Sequence, residues 1–562
     1  MPPRASGGAR FSPAGDAVAV PRCPAWTGLS PTVHLLFMDT PRSRSPPVPG
    51  HRPFPDMEYT DRTLAGSCYQ MPADSVSPSE QPDADDGTGE SSPWDRSVEK
   101  RLADAREAQH TVATGSQETV DELTRIVHRL VCDDSAVVRR WAEHAVAETS
   151  QGDVSDKLEK TTTVVDLMYA EMEGERSVGV VTDPAADPVK IGKPVGVIGA
   201  HTPSTNCAAT PVALALTAFK GGNALIISPS PFAVETCELV VADIQAALER
   251  EGFPGELIQS LSAPIRKART EQLLTHADAI QVTGSPSQVE RGETCGTPNY
   301  CVGAGNTVGI VDPTADLAAT AEYIAHSAAF DNGLVCVCMS NLLIPPGLAE
   351  EFMAELEAAG GYRCSAAETR RLRDTLYTDE RINPDCIGQP ATEIASMAGF
   401  GEQLDGDTFL VPVFDDVDLS DPLVRENLSP VATLYTVPRD EVVPTTNAIT
   451  SYQGAGHSCA IYGARDRAIE LADGIDVCRI CRNQSSIGLS VGEGNRVETS
   501  LSLGCGTWGG NQTDGNITYE QFTNTTTLYD RVPDSRPAEN EATTAHVPRL
   551  QRLYKVIARA VQ

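Results

Sequence analysis

Two thiols, Cys336 and Cys338, stand in the stretch AFDNGLVCVCMSNLL (329–343), behind a turn-like Asp-Asn-Gly and ahead of an apolar, strand-like run. Cysteines so placed can serve as a metal pair, a redox pair, small core residues or a catalytic nucleophile. In an extended segment, positions two apart share a face, so the spacing allows a reversible disulfide or a shared metal. A thiolate is also a strong nucleophile at a carbonyl carbon and leaves well from a thioester. The remaining cysteines hold a single C-x₂-C, Cys478 and Cys481, with no second such pair to match it, so no zinc site is expected. A second chemistry-bearing loop is VTGSPSQ (282–288), where Gly284 and Ser285 would set small residues and backbone N–H groups at a helix start. That arrangement suits a pyrophosphate, although an ordinary strand-to-helix turn has the same composition.

The elements that must hold these loops can be read from periodicity. Val120, Leu123, Ile126, Val127, Leu130 and Val131 recur at three- and four-residue steps, which predicts a helix with Ser116 as its N-cap. The stretch SVGVVTDPAADPVKIGKPVGVIGA reads as a hairpin leading into a buried strand at Val195–Ala200. Strand-like NALIISPS, helical VETCELVVADIQAALERE and strand-like ADAIQVTGS follow. This alternation implies an α/β fold with a mostly parallel sheet covered by helices on both faces. Such sheets bind ligands at the carboxyl ends of their strands. The first βα turn is GAHTPSTN and carries no G-x-G-x-x-G.

The chain has 562 residues, with 77 acidic against 44 basic side chains and a net charge of −33. Nucleic acid and anionic membranes are not expected partners, because phosphate binding needs clustered Lys and Arg. An acidic, hydrated surface over an ordinary core fits adaptation to high salt. The 15 cysteines lack a framework spacing, which points to a reducing cytoplasm. Residues 1–96 read as a disordered extension rich in Pro, Gly and Ser, and the start at Met57 or Met71 is a competing reading for the leader.

Nine stretches occur in one order: PVGVIGAHTPSTN, NALIISPSP, VTGSPSQVE, VGAGNTVGIVDPTADL, FDNGLVC, IGQPATEIASMAGF, ENLSPVATLY, GAGHSCAIY and LSLGCGTWGGN. Together they resemble the aldehyde dehydrogenase superfamily, and within it the CoA-acylating branch. The resemblance implies three parts: an NAD(P)-binding Rossmann-type domain at 97–303, an α/β catalytic domain at 304–515 and a small oligomerisation sheet. That sheet would use the 177–193 hairpin and the segment from 516 to 562, and would pair subunits into a homodimer or homotetramer.

The same resemblance implies roles for single residues. Cys336 is the nucleophile, and Asn206 with the Cys336 N–H holds the developing oxyanion. Pro203, Ser204, Ser228, Ser230, Gly284, Ser285 and Glu426 contact the nicotinamide cofactor, with NAD and NADP both allowed and Glu426 on the nicotinamide ribose. Members that release a free acid carry a glutamate, within Leu-Glu-Leu-Gly-Gly-Lys, that activates water. Here the stretch is CVGAGN, and Val302 holds that position. Valine takes no proton, so the acyl-enzyme is expected to wait for CoA as co-substrate and acceptor. His457 and Cys505 fall at the substrate end, His457 as a base or a turn cap and Cys505 without an assigned chemistry. The expected reaction is reversible oxidation of a small acetaldehyde-like or sulfoacetaldehyde-like substrate to its acyl-CoA. A hydrolytic aldehyde dehydrogenase, a silent cofactor-binding protein and a thiol redox sensor are the competing readings.

Overall fold

The computed structural model describes residues 95–531 except 114, 379, 380, 407 and 493, all within one compact unit spanning 72–562. The expected N-terminal extension, its competing start sites and most of the C-terminal segment lie outside the described residues.

Helix Gln117–Cys132 buries Val120, Leu123, Ile126, Val127 and Val131 on one stripe, as the three- and four-residue spacing requires. Ser116 occupies its N-cap position with extended backbone, yet its side chain makes no capping bond. Helix Val154–Met172 is capped more firmly, with the Asp153 carboxylate accepting from the Ser155 and Asp156 N–H groups. This helix carries Lys157 and Lys160 in its first two turns, and both are buried.

Five parallel strands follow in the spatial order Ile258–Ser260, Ala224–Pro229, Val197–Thr202, Ala279–Thr283, Asn299–Val302. All six residues of Val197–Thr202 and all six of Ala224–Pro229 are buried, so these strands are covered on both faces and carry no polar alternation. Helix Ala209–Lys220 is buried along its entire length, consistent with its apolar sequence. The strand order reverses beside Val197–Thr202. The loops after that strand and after Ala279–Thr283 therefore open a crevice at their carboxyl ends. Pro203, Ser204 and Asn206 occupy the first loop, and Gly284 and Ser285 the second.

A second parallel sheet has six strands, ordered Val413–Phe414, Thr433–Thr436, Met339–Ile344, Thr307–Val311, Gly456–Tyr462, Val477–Arg482. Cys336 precedes the strand Met339–Ile344, Gly305 precedes Thr307–Val311, and Glu426 precedes Thr433–Thr436. These three residues gather at the amino ends of the second sheet, facing the loops at the carboxyl ends of the first. A third, antiparallel sheet joins Gly179–Val180, Val189–Pro194 and Thr523–Leu528. Among the described residues no helix is long and apolar enough to cross a membrane.

Candidate active site

The Asp-Asn-Gly ahead of the thiols is a sharp bend. Asp331, Asn332 and Gly333 take φ values of 50°, 53° and 76°, three left-handed residues in succession. For Asp331 and Asn332 this conformation costs energy, and it persists because the surroundings hold it. Asp331 is fully buried. Its carboxylate accepts from Lys157 Nζ at 3.1 Å, from Lys160 Nζ and from the Asp153 N–H at 2.9 Å. Asn332 Nδ2 donates to the Gly388 carbonyl at 3.0 Å. At Gly333 a side chain would meet the Ser429 carbonyl oxygen at 2.3 Å, so glycine is needed twice, for its φ and for the close approach.

The bend delivers the two thiols to different places. Residues 335–338 form a turn, closed by the Cys338 N–H donating to the Val335 carbonyl at 2.7 Å, and the strand begins only at Met339. The extended geometry that would put Cys336 and Cys338 on one face is therefore absent. Cys338 is buried, with its Sγ against the Phe330 carbonyl at 3.7 Å, whereas Cys336 stays partly exposed. Both are free thiols. Burial, reinforced by the nearby Glu426 and Cys505, pushes the Cys336 thiol up to about 12, and Arg479 works in the other direction. The resting thiol thus keeps its proton at neutral pH.

Asn206 is tied to the same bend through Lys160. Lys160 Nζ donates to Asn206 Oδ1 at 2.5 Å as well as to Asp331. With Oδ1 engaged by an ammonium, the amide can be oriented only one way. Its Nδ2 is left with a single long contact, 3.5 Å to Thr205 Oγ1, and keeps a donor for an oxyanion. Nothing in the sequence singled out Lys157 or Lys160, and Asp331 read only as part of a turn. Two lysines on an amphipathic helix read as solvated charges by default, and only the partner carboxylate reveals otherwise.

Glu426 reaches the amino end of the second sheet. Its Oε1 accepts from the Gly305 N–H at 3.0 Å, and its own N–H donates to Gln453 Oε1 at 3.0 Å. Burial raises its carboxyl to about 7, with the Gly305 bond pulling the other way. Val302 ends its strand in an apolar cluster and is 4% exposed. His457 is buried, with Nδ1 2.8 Å from Ser458 Oγ, and burial together with Arg479 depresses its ring to about 3, so it is neutral. Arg479, also unmarked in the sequence, is 7% exposed. It donates to the carbonyls of His457 at 2.8 Å, Asp514 at 3.1 Å and Gly504, and makes no ion pair among the described residues. It thereby straps the loop of Cys505 against the strand of His457. Cys505 Sγ lies 3.3 Å from the Leu503 carbonyl.

The residues expected at the cofactor divide. Ser285 caps helix Pro286–Thr294 in a reciprocal capping box with Gln288, so Gly284 and Ser285 do open a helix at the crevice. Pro203 and Ser204 are half-buried in the facing loop. Ser230 donates its N–H to the Thr202 carbonyl at 2.9 Å. Ser228 is fully buried with Oγ 2.8 Å from Thr270 Oγ1, so its hydroxyl is not presented to the crevice. Away from the cleft, His128, Cys132 and Asp166 bring possible ligand atoms within 4.8 Å of one another.

Residues 89–367 match the model of the aldehyde dehydrogenase family. An acylating sulfoacetaldehyde dehydrogenase of Cupriavidus necator is 36% identical over 443 residues, covering 78% of this chain and 90% of the relative. The chain belongs to the aldehyde dehydrogenase family. An acetylating succinate-semialdehyde dehydrogenase of Clostridium kluyveri is 31% identical, covering 76% of this chain and 94% of the relative. A solved acetylating aldehyde dehydrogenase of Geobacillus thermoglucosidasius superposes with a TM-score of 0.75 at 28% identity, covering 78% of this chain and 97% of that one. This aldehyde dehydrogenase therefore falls in the CoA-acylating branch, and its paired parallel sheets are the family fold.

Proposed function

We propose that this aldehyde dehydrogenase oxidises a short aldehyde with a negatively charged tail, sulfoacetaldehyde being the leading candidate, to its acyl-CoA. One observation carries the acyl-transfer reading. Val302, an apolar side chain that closes its strand, offers no water-activating carboxylate to Cys336. Cys336 and Cys338 are both free thiols on a turn that lacks the extended geometry placing them on one face, which weighs against a disulfide redox pair.

In this reading the Cys336 S–H bond breaks and its proton leaves to solvent, the sulfur forms the new C–S bond to the aldehyde carbon, and the C=O π pair moves onto the oxygen. The oxygen that gains charge is held by Asn206 Nδ2 and the Cys336 N–H. A nicotinamide cofactor, NAD or NADP, supplies the hydride acceptor when it is bound. Pro203, Ser204, Ser230, Gly284, Ser285 and Glu426 would hold it at the crevice. The resulting thioester persists on Cys336 because Val302 recruits no water, and the CoA thiol then takes the acyl group.

The anionic substrate class is supported by the names of the relatives from Cupriavidus necator and Clostridium kluyveri. Arg479, buried and without an ion pair among the described residues, is near enough to Cys336 to draw its thiol down, and a positive charge there favours an anionic substrate tail. Assembly as a homodimer or homotetramer through the antiparallel sheet fits the exposure of Leu528 at 57% and Tyr529 at 71% beside its outer strand. A cytoplasmic, salt-adapted setting fits the free thiols and the acidic charge.

The test is a panel of sulfoacetaldehyde, succinate semialdehyde and acetaldehyde, each followed by NAD(P)H formation with and without CoA. Sustained turnover should require CoA and favour an anionic aldehyde. Full-rate production of carboxylate without CoA would overturn the acyl-transfer reading. Preference for acetaldehyde would overturn the substrate class alone.

A further inference from the structure

Helices Gln117–Cys132 and Val154–Met172 pack side by side, and Val127 and Val131 on the first join Val164, Val165 and Met168 on the second in one buried apolar cluster. Beside this seam three side chains with metal-ligand chemistry converge. His128 and Cys132 are four positions apart on the first helix, so they lie one turn apart on one face. Asp166 comes from the second helix, 38 positions from His128. His128 Nε2 lies 2.9 Å from Asp166 Oδ1, and one ligand atom from each of His128, Cys132 and Asp166 falls within 4.8 Å of the others. Cysteine spacing gives no sign of this cluster, because helix packing supplies its third member.

An imidazole–carboxylate pair alone would be an ordinary surface contact. The thiol one turn away changes the chemistry. Cys132 is free and half-buried. Among the described residues Asp166 makes its ion pair with His128 alone. Arg125 and Arg129, on the same helix as His128, are held by Glu122 and Glu251 instead. A thiolate, a carboxylate and a neutral imidazole carry two negative charges, which a divalent cation cancels. Nitrogen, sulfur and oxygen together suit a borderline cation such as zinc, whereas magnesium and calcium take oxygen ligands.

The geometry is close to what such a cation needs. Donors around a tetrahedral zinc stand about 3.4–3.6 Å apart, given bonds of about 2.0–2.3 Å. The separations present need to change by roughly an ångström to match. The Asp166 side chain is 66% exposed and has room for that movement. The His128 ring is stacked on Tyr169, with centroids 4.2 Å apart and planes 21° from parallel, which fixes the plane in which its lone pair points. Both helices are anchored by the apolar seam, so the ligands stand on rigid elements.

We propose that His128, Cys132 and Asp166 bind one zinc-class divalent cation, with water as the fourth ligand, and that the cation braces the two helices. On binding, the Cys132 proton leaves to solvent, an electron pair on its sulfur forms the bond to the metal, and nothing is oxidised or reduced. The cation is a brace and takes no part in the aldehyde reaction. Its place matters because helix Val154–Met172 also carries Lys157 and Lys160, which clamp the bend ahead of Cys336. Asp166 lies six residues beyond Lys160, about 9 Å along the helix axis.

The experiment is titration of the chelator-stripped full chain with cobalt(II), in a Cys336→Ala background so that the open catalytic thiol does not compete. One cobalt per chain should bind, with the visible absorption of a tetrahedral site and a thiolate-to-cobalt charge-transfer band, and zinc should displace it. Cys132→Ala and His128→Ala should each weaken binding by about 100-fold or more, beyond the loss caused by removing a residue that merely supports a ligand. Cys132→Ala should also lose the charge-transfer band. Asp166→Asn is equal in size and sits at an exposed position, so it keeps the fold, and it should weaken binding by about tenfold or more. Zinc should raise the Tm of the wild-type chain and leave that of His128→Ala where it was. A chain that takes up no cobalt would overturn the proposal. So would a charge-transfer band that survives Cys132→Ala, an affinity unchanged in Asp166→Asn, or a zinc-induced rise in Tm that persists in His128→Ala, since each places the metal elsewhere.

Discussion

Replacing Asn206 separates catalysis from stability in a way that tests the oxyanion assignment. In the structure Asn206 Oδ1 takes a 2.5 Å bond from Lys160 Nζ, and Lys160 is 1% exposed. Asn206→Ala removes that acceptor and the Nδ2 donor together. Lys160 keeps its bond to Asp331, so the charge is not stranded. The loss is one hydrogen bond to a charged group, about 1.5–3 kcal/mol of stability. Loss of one oxyanion donor costs about 10²–10³ in kcat, or about 2.7–4 kcal/mol of transition-state stabilisation. Asn206→Asp divides the two effects. It keeps an acceptor for Lys160, now an ionised one, and so holds or raises stability while supplying no donor to the oxyanion. The assay pairs thermal unfolding with the rate of the single-turnover NAD(P)H burst. Both variants should burst about 10²–10³ more slowly, with only Asn206→Ala losing melting temperature. A folded Asn206→Asp that bursts at the wild-type rate would refute the assignment.

Cys336→Ala should abolish turnover and Cys338→Ala should retain most of it, since the Cys338 thiol is buried against Phe330; steady-state assays of both variants decide this, and equal loss would revive a two-thiol mechanism. Val302→Glu should raise hydrolysis of the acyl-enzyme by about 100-fold or more, read as the acid-to-acyl-CoA ratio, and an unchanged ratio in folded protein would count against Val302 as the reason CoA is needed. Glu426 is raised from its ordinary 4.5 to about 7, so between those values the folded chain binds more protons than the unfolded one. Stability contributed by this group therefore falls as pH rises through that window. Glu426→Gln should melt above the wild type at pH 8, with the gap closing towards pH 4.5, and a pH-independent difference would contradict the burial of the carboxyl.

The amino-acid sequence by itself determined the alternation of strands and helices, the place of Cys336 behind Phe-Asp-Asn-Gly, and the loss of the acid at Val302. These are local facts. Periodicity reports burial of neighbouring residues, and residue type at one position decides whether a proton can be taken there. Tertiary structure alone decided which way each thiol faces, because the turn at 335–338 depends on a bend clamped by lysines more than 170 positions away. It also buried Ser228, set Lys160 behind Asn206, strapped the Cys505 loop with Arg479 and brought Glu426 to Gly305. Each of these depends on a charge or hydrogen bond between chain-distant residues. Spacing along the chain carries no record of such partners, and a lysine or glutamate read alone belongs at the surface.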